Sequence, residues 1–181
     1  MQPRETDADA IRRSLRAPEA FRIVFERHFE PVHRYAQQRS GLDADEVAAE
    51  TFVRAFAARA RYDLRRPDAR PWLLGIATRV MLGRWERERR ARTAMNGAAG
   101  VAAAEPEARA LPRAVAVALA ALRPDDRETL LLLAWADLSY EQIASALDVP
   151  VGTVRSRISR ARRLLRARLA ETSTPEGSRR V

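Results

Sequence analysis

Residues 138–169, LSYEQIASALDVPVGTVRSRISRARRLLRARL, decide how the chain is read. Ser139 followed by Gln142 has the spacing of a capping box, in which the hydroxyl takes an orphan amide and the Gln side chain reaches back, so a helix starts there. Its inner face is Ile143, Ala144 and Leu147. Asp148, Val149 and Pro150 then break the periodicity, and Pro150, with no amide to leave unpaired, suits the first turn of a second helix. Asp148 stands where such turns often carry Gly, and Asp is among the few residues that tolerate the left-handed conformation. In the second helix Val154, Ile158, Ala161 and Leu165 recur at spacings of four, three and four, a single inward stripe. The stretch reads as a helix-turn-helix.

The opposite face of the second helix carries Arg155, Ser156, Arg157, Ser159, Arg160, Arg162 and Arg163, and residues 148–169 hold seven Arg against one Asp. A helix so charged seeks phosphate. Arg presents a planar fork that can bridge the O6 and N7 acceptors of guanine, and Ser can bond a base edge or a phosphate. A basic run alone is often a solvated face. On the second helix of a tight helix-turn-helix it predicts DNA reading in the major groove.

The chain has 181 residues, enough for one ordinary domain or two small ones, and its 46% apolar content permits a folded core. A net charge of +9 favours an anionic partner. All 33 basic residues are Arg, a usage that follows genome composition as readily as function. With no cysteine there is no disulfide framework, thiolate zinc site or cysteine nucleophile, and a cytoplasmic protein is expected. The longest apolar run, residues 114–122, is far shorter than the roughly 20 residues of a membrane span, and MQPRETDADA does not read as a signal peptide, so no membrane insertion is expected.

Along the chain, residues 9–40 read as helix, with Ile11 and Leu15 first and Phe21, Phe25 and Phe29 repeating as a core face after Pro18. His28 and His33 are five apart, which does not set them up as i, i+4 metal ligands, and no metal or cofactor is expected. Gly41 ends this segment. Asp43 and Glu46 open another helix by capping-box logic, with Val47, Thr51, Phe52, Ala55 and Phe56 inward and Glu46 and Glu50 paired on one side. Residues 62–71 form a loop, and Pro71 sits in the first turn of a third helix with Trp72, Leu73, Ile76, Ala77 and Val80 inward. That helix runs into a basic surface of Arg84, Arg87, Arg89, Arg90 and Arg92. Trp72 reads as core, and Trp85, among charges, as the better candidate for stacking a base or touching a protein.

From 93 to 110 small residues replace large apolar ones, which suggests a linker too poor in apolar surface to fold. A second helical domain follows over 111–170. Leu111, Val115, Leu119 and Leu122 make one helix, Pro124 starts another, and TLLLLAWA forms the core around the helix-turn-helix. The tail 171–181 is polar, and disorder is expected there. The fold class expected is all-α, two small helical domains, 9–92 and 111–170, joined by a flexible linker that leaves them loosely oriented.

FRIVFERHFEPVHRYA, DADEVAAETFVRAF and RPWLLGIATRV resemble region 2 of bacterial sigma factors, and the helix-turn-helix stretch is similar to their region 4. Over about residues 9–169 the chain resembles the extracytoplasmic-function group of the sigma-70 family. The resemblance implies a protein that is not an enzyme, binds RNA polymerase core and directs promoter-specific initiation; it also admits an anti-sigma factor as a further partner. It places Arg155, Ser156, Ser159 and Arg160 at the bases of the −35 element, with Thr153 and Arg157 near phosphates; Arg163, farther along the helix, is expected to reach phosphate more easily than bases. For the −10 element it implies Tyr62, Arg79, Arg84, Trp85 and Arg87. For polymerase it implies the helix bearing Glu46, Val47, Glu50, Phe52 and Val53. Arg79 stands where the family often has Asn, Glu46 where it often has Asp, and Ala49 where it often has Gln.

Two other classes fit less well. A serine recombinase of the resolvase type has a similar length and a C-terminal helix-turn-helix, but needs an N-terminal α/β domain, and no run here has strand periodicity. A stand-alone repressor would have no use for the first domain.

Overall fold

The structure, a computed structural model, describes residues 5–39, 42–96 and 111–173, and among these there is no strand. The first half comprises α1 (Asp7–Ser14), a 3-10 turn at Pro18–Phe21, α2 (Arg22–Gln38), α3 (Ala44–Ala58), a 3-10 turn at Arg59–Arg61 and α4 (Arg70–Asn96). The second half comprises α5 (Arg113–Ala120), α6 (Pro124–Trp135), α7 (Tyr140–Leu147) and α8 (Val151–Ser173).

Local chemistry accounts for most of the boundaries. Ser139 Oγ accepts from the Gln142 amide at 3.2 Å and Gln142 Oε1 accepts from the Ser139 amide at 2.8 Å, so the expected capping box opens α7. Asp148 is left-handed, at φ 55° and ψ 52°, as the turn requires. Asp137, at φ 49°, makes a second left-handed corner before α7, with no glycine to mark it. Val154, Ile158 and Ala161 are buried along α8. Asp43 caps α3 through the amides of Asp45 and Glu46. The expected return bond from Glu46 does not form, because its carboxylate is drawn to Arg84 on α4.

Several expectations need correction. Residues 9–40 are not one helix: the chain breaks after Ser14, and Pro18, which cannot donate an amide, begins a 3-10 turn before α2. Folding starts earlier than residue 9, because Thr6 and Asp9 form a capping box for α1. Helix α4 continues past 92 to Asn96, and α8 past 170 to Ser173. Gly41, the rest of the expected linker (97–110) and the rest of the expected tail (174–181) lie outside the described residues.

The two halves are not loosely oriented. They are packed together, and one core cluster runs from Val32, Tyr35, Leu73 and Met81 in the first half to Leu132, Leu138, Ile143 and Ile158 in the second. A smaller cluster of Leu119, Leu122 and Ala161 holds α5 to α8. Helix α7 lies against α4, where Gly75 is required: a Cβ there would collide with the Ala146 carbonyl. Arg70 donates to the Ala136 carbonyl beside this contact. Most telling is Arg39, the fully buried residue that caps the end of α2, whose two η nitrogens meet the Glu128 carboxylate of α6 at 2.7 and 2.8 Å.

Candidate nucleic-acid interface

The basic face of α8 is sorted by its neighbours into two groups. Arg155, Ser159, Arg162 and Arg166 follow one another at helical spacing and, with Tyr140 and Ile158, line a groove of about 350 Å³. Ser156 and Arg163 are exposed next to them, and Thr153 is half-buried at the helix start. Glu141, on α7, accepts from the Ser139 hydroxyl at 3.0 Å; its own backbone amide, that hydroxyl and the Arg155 charge hold its carboxyl below the usual range. The other flank of α8 turns toward α6. Arg157 gives Nη2 to Asp125 at 2.5 Å and is largely buried, and Arg160 pairs with Asp126 through Nε at 3.1 Å and Nη2 at 2.8 Å. Arg157 therefore does not stand on the open face where the sequence put it.

The residues proposed for the −10 element are scattered by the structure. Tyr62 is buried against Trp72, ring centroids 5.0 Å apart, and its hydroxyl donates to the Arg66 carbonyl at 2.7 Å. Burial holds that phenol well above its ordinary pKa. Arg84 reaches across to α3, pairing with Glu50 at 2.8 Å and Glu46 at 2.5 Å. Trp85 is half-buried, with the Arg39 guanidinium 4.6 Å from its ring centre. That ring face is thereby closed to a stacking base, and the sequence had shown only a tryptophan among charges. Arg79 and Arg87 are exposed; Arg79 donates to the Ala146 carbonyl at 3.4 Å and Arg87 to the Gly83 carbonyl at 3.1 Å.

The set expected to bind polymerase divides in the same way. Val47 and Phe52 point into the core, because α3 lays that side on α2 and α4. Val53 is well exposed, as is the Glu46 side chain, while Glu50 is held by Arg84 and Arg54. Phe25, expected inside, is instead 40% exposed, its ring edge-on to Phe52 at 4.8 Å. It adds an apolar contact beside Val53's helix that periodicity alone assigned to the core.

One titratable cluster lay outside the sequence reading. Asp7, His28 and Asp68 bring ligand atoms within 4.8 Å of one another. The Asp7 carboxylate is already engaged, by His28 Nε2 at 2.6 Å, Arg27 at 2.8 Å and the Ala69 amide at 2.9 Å. Burial alone would raise its pKa, but those bonds outweigh it and bring the group to about 2. The cluster ties α1 to α2 and to the start of α4. His33 separately meets Asp45 at 3.1 Å, so the two histidines serve different contacts.

Comparison with known proteins matches each half of the chain to a family model. Residues 24–91 match the family model described as Sigma-70 region 2, and residues 113–165 that described as Sigma-70, region 4. The chain is 38% identical over 128 residues to the ECF RNA polymerase sigma factor SigC of Mycobacterium tuberculosis, covering 68% of this chain and 69% of that one. It is 31% identical over 163 residues to the RNA polymerase sigma factor CarQ of Myxococcus xanthus, covering 86% and 92%. Among solved structures, CnrH in complex with the cytosolic domain of CnrY is similar at a TM-score of 0.63 and 27% identity, covering 93% of this chain and 99% of that one.

Proposed function

The chain belongs to the extracytoplasmic-function group of the sigma-70 family, and from that premise we propose how its surfaces divide the work of promoter-specific initiation. RNA polymerase core and promoter DNA are its partners, in the cytoplasm, and it supplies recognition rather than catalysis. No helix among the described residues is long and apolar enough to cross a membrane. Arg155, Ser156, Ser159 and Arg160 face the bases of the −35 element, with Thr153 and Arg163 on flanking phosphates. Arg157 acts from behind, bracing α8 against α6.

For the −10 element, Arg79 and Arg87 are the residues of the expected set with exposed side chains. Tyr62, Arg84 and Trp85 shape that surface from below. Val53 and Glu46, with Phe25 nearby, present α3 to polymerase, and Val47 and Phe52 fix the helix in place. To meet the −10 element, Arg79 releases the Ala146 carbonyl. An anti-sigma factor would compete for the same exposed surfaces.

The observation that carries this reading is the split of α8, where a buried apolar stripe lies opposite an exposed Arg and Ser face on the second helix of a helix-turn-helix. Transcripts made by core polymerase with and without the protein test it. Start sites that appear only with the protein and share an upstream element 35 base pairs away support the reading, and an unchanged set of starts contradicts it.

A further inference from the structure

The way Arg160 is held sets it apart from every other arginine on α8. Asp126 lies in the first turn of α6, its side chain only 5% exposed, where the positive end of the helix dipole favours a carboxylate. Oδ2 accepts from Nε at 3.1 Å and Oδ1 from Nη2 at 2.8 Å. This is a side-on pair. It occupies the Nε edge of the guanidinium and leaves three of the five N–H groups unengaged, two of them side by side on the Nη1–Nη2 edge. The Arg160 side chain is 43% exposed, and with its Nε edge turned to Asp126 the Nη1–Nη2 edge is turned away from that carboxylate. Two parallel donors on that edge match the O6 and N7 acceptors of guanine.

We propose that Asp126 is a positioning residue for base recognition: it clamps the inner edge of Arg160 so that the outer edge is presented, already oriented, to a guanine of the −35 element. This rests on the reading of α8 as the −35 helix. An unclamped arginine must give up the freedom of a long side chain at the moment of binding, whereas Arg160 has given it up in the folded protein. The Asp126 carboxylate also offsets the charge of the guanidinium, which stays protonated, so Arg160 answers to base acceptors more than to phosphate charge. Asp125 and Arg157 show the contrast. There the carboxylate is 72% exposed and the arginine 16%, so the guanidinium is turned inward and has no outer edge to offer.

The test uses the full chain with polymerase core on a promoter mapped from its own transcripts, with each −35 guanine replaced in turn by 7-deazaguanine, which lacks N7. In the native protein one replacement should weaken binding roughly 5- to 100-fold. Asp126→Asn keeps the shape and removes the charge: that sensitivity should fall to about twofold, while the salt dependence steepens by about one unit of slope as Arg160 becomes a free cation. Asp126→Glu keeps the charge but displaces the guanidinium, and should lose the sensitivity with the salt slope unchanged. Thermal melting by circular dichroism restricts the comparison to temperatures at which every variant is folded. If both variants weaken all templates equally and keep the native sensitivity to N7, Asp126 merely stabilises the domain and the proposal is overturned. The same holds if no guanine replacement is felt by the native protein. Arg155→Ala is the separate control, since a promoter profile indifferent to that change would discard the −35 reading itself.

Discussion

Two arginine–carboxylate pairs, Arg39 with Glu128 and Arg160 with Asp126, join the same chemical groups and do opposite things. Arg39 is paired end-on: both η nitrogens meet Glu128, the Tyr35 hydroxyl accepts from Nη1 at 3.2 Å, and Trp85 lies over the guanidinium. With the arginine 0% and the carboxylate 5% exposed, that fork faces only protein. Arg160 is paired side-on, on a side chain 43% exposed, with its fork turned away from the carboxylate. The first pair ties α2 to α6 across 89 positions of sequence, and the second holds a side chain ready for an outside partner. Which edge of the guanidinium the carboxylate takes separates architecture from recognition.

The comparison breaks most visibly at the buried pair. Glu128→Ala leaves a desolvated guanidinium with no carboxylate, and should cost about 3 to 5 kcal/mol. The loss should show in thermal or urea unfolding. Replacing both partners, Arg39→Met with Glu128→Leu, should be far milder, because an apolar pair of similar size owes no desolvation. Equal losses in the single and double variants would mean that a stranded guanidinium is not what the single variant suffers from.

Next in size is Gly75→Ala. Alanine is better than glycine in a helix by about 1 kcal/mol, yet the added Cβ meets the Ala146 carbonyl and should destabilise the chain by about 1 to 3 kcal/mol, as overpacking does. A more stable variant in urea titration would show that α4 and α7 do not need their close approach.

Asp7 comes third, as a dependence on pH. Its pKa is depressed from 3.8 to about 2, so the folded state favours the ionised form. The stabilisation, about 2 kcal/mol, is present above pH 3.8 and is lost as pH falls toward 2. Asp7→Asn should remove this dependence, which unfolding curves at several pH values between 5 and 2 would reveal. The smallest effect should be at Arg163: Arg163→Ala weakens binding to all promoter sequences alike, reduces the salt slope by about one unit and leaves unfolding unchanged.

The helix-turn-helix was legible because its signals are local. Ser139 and Gln142 cap within one turn, Asp148 takes the left-handed corner itself, and the stripe from Val154 to Ala161 needs only helical spacing. The union of the two halves was not, because Arg39 and Glu128 each look like ordinary surface charges until the fold brings them together. Gly75 gave no sign of itself either, since a glycine inside a helical pattern does not say what presses on it. The site was half legible for a related reason. Arginines could be counted on α8, but the carboxylates that turn Arg157 inward and clamp Arg160 come from α6, and Arg84 and Trp85 are claimed by α3 and by Arg39. Residue type and spacing show what a side chain can do, and only packing shows which groups have already claimed it.

The most direct test of the open face of α8 as the reader of the −35 element is Arg155→Ala, assayed with polymerase core on a panel of single-base −35 changes at two salt concentrations. A bidentate base contact predicts a loss of about 1 to 3 kcal/mol concentrated at one or two positions, where the variant no longer tells bases apart. A loss spread evenly over every template and erased by salt would instead make α8 a solvated basic face, and would contradict the account.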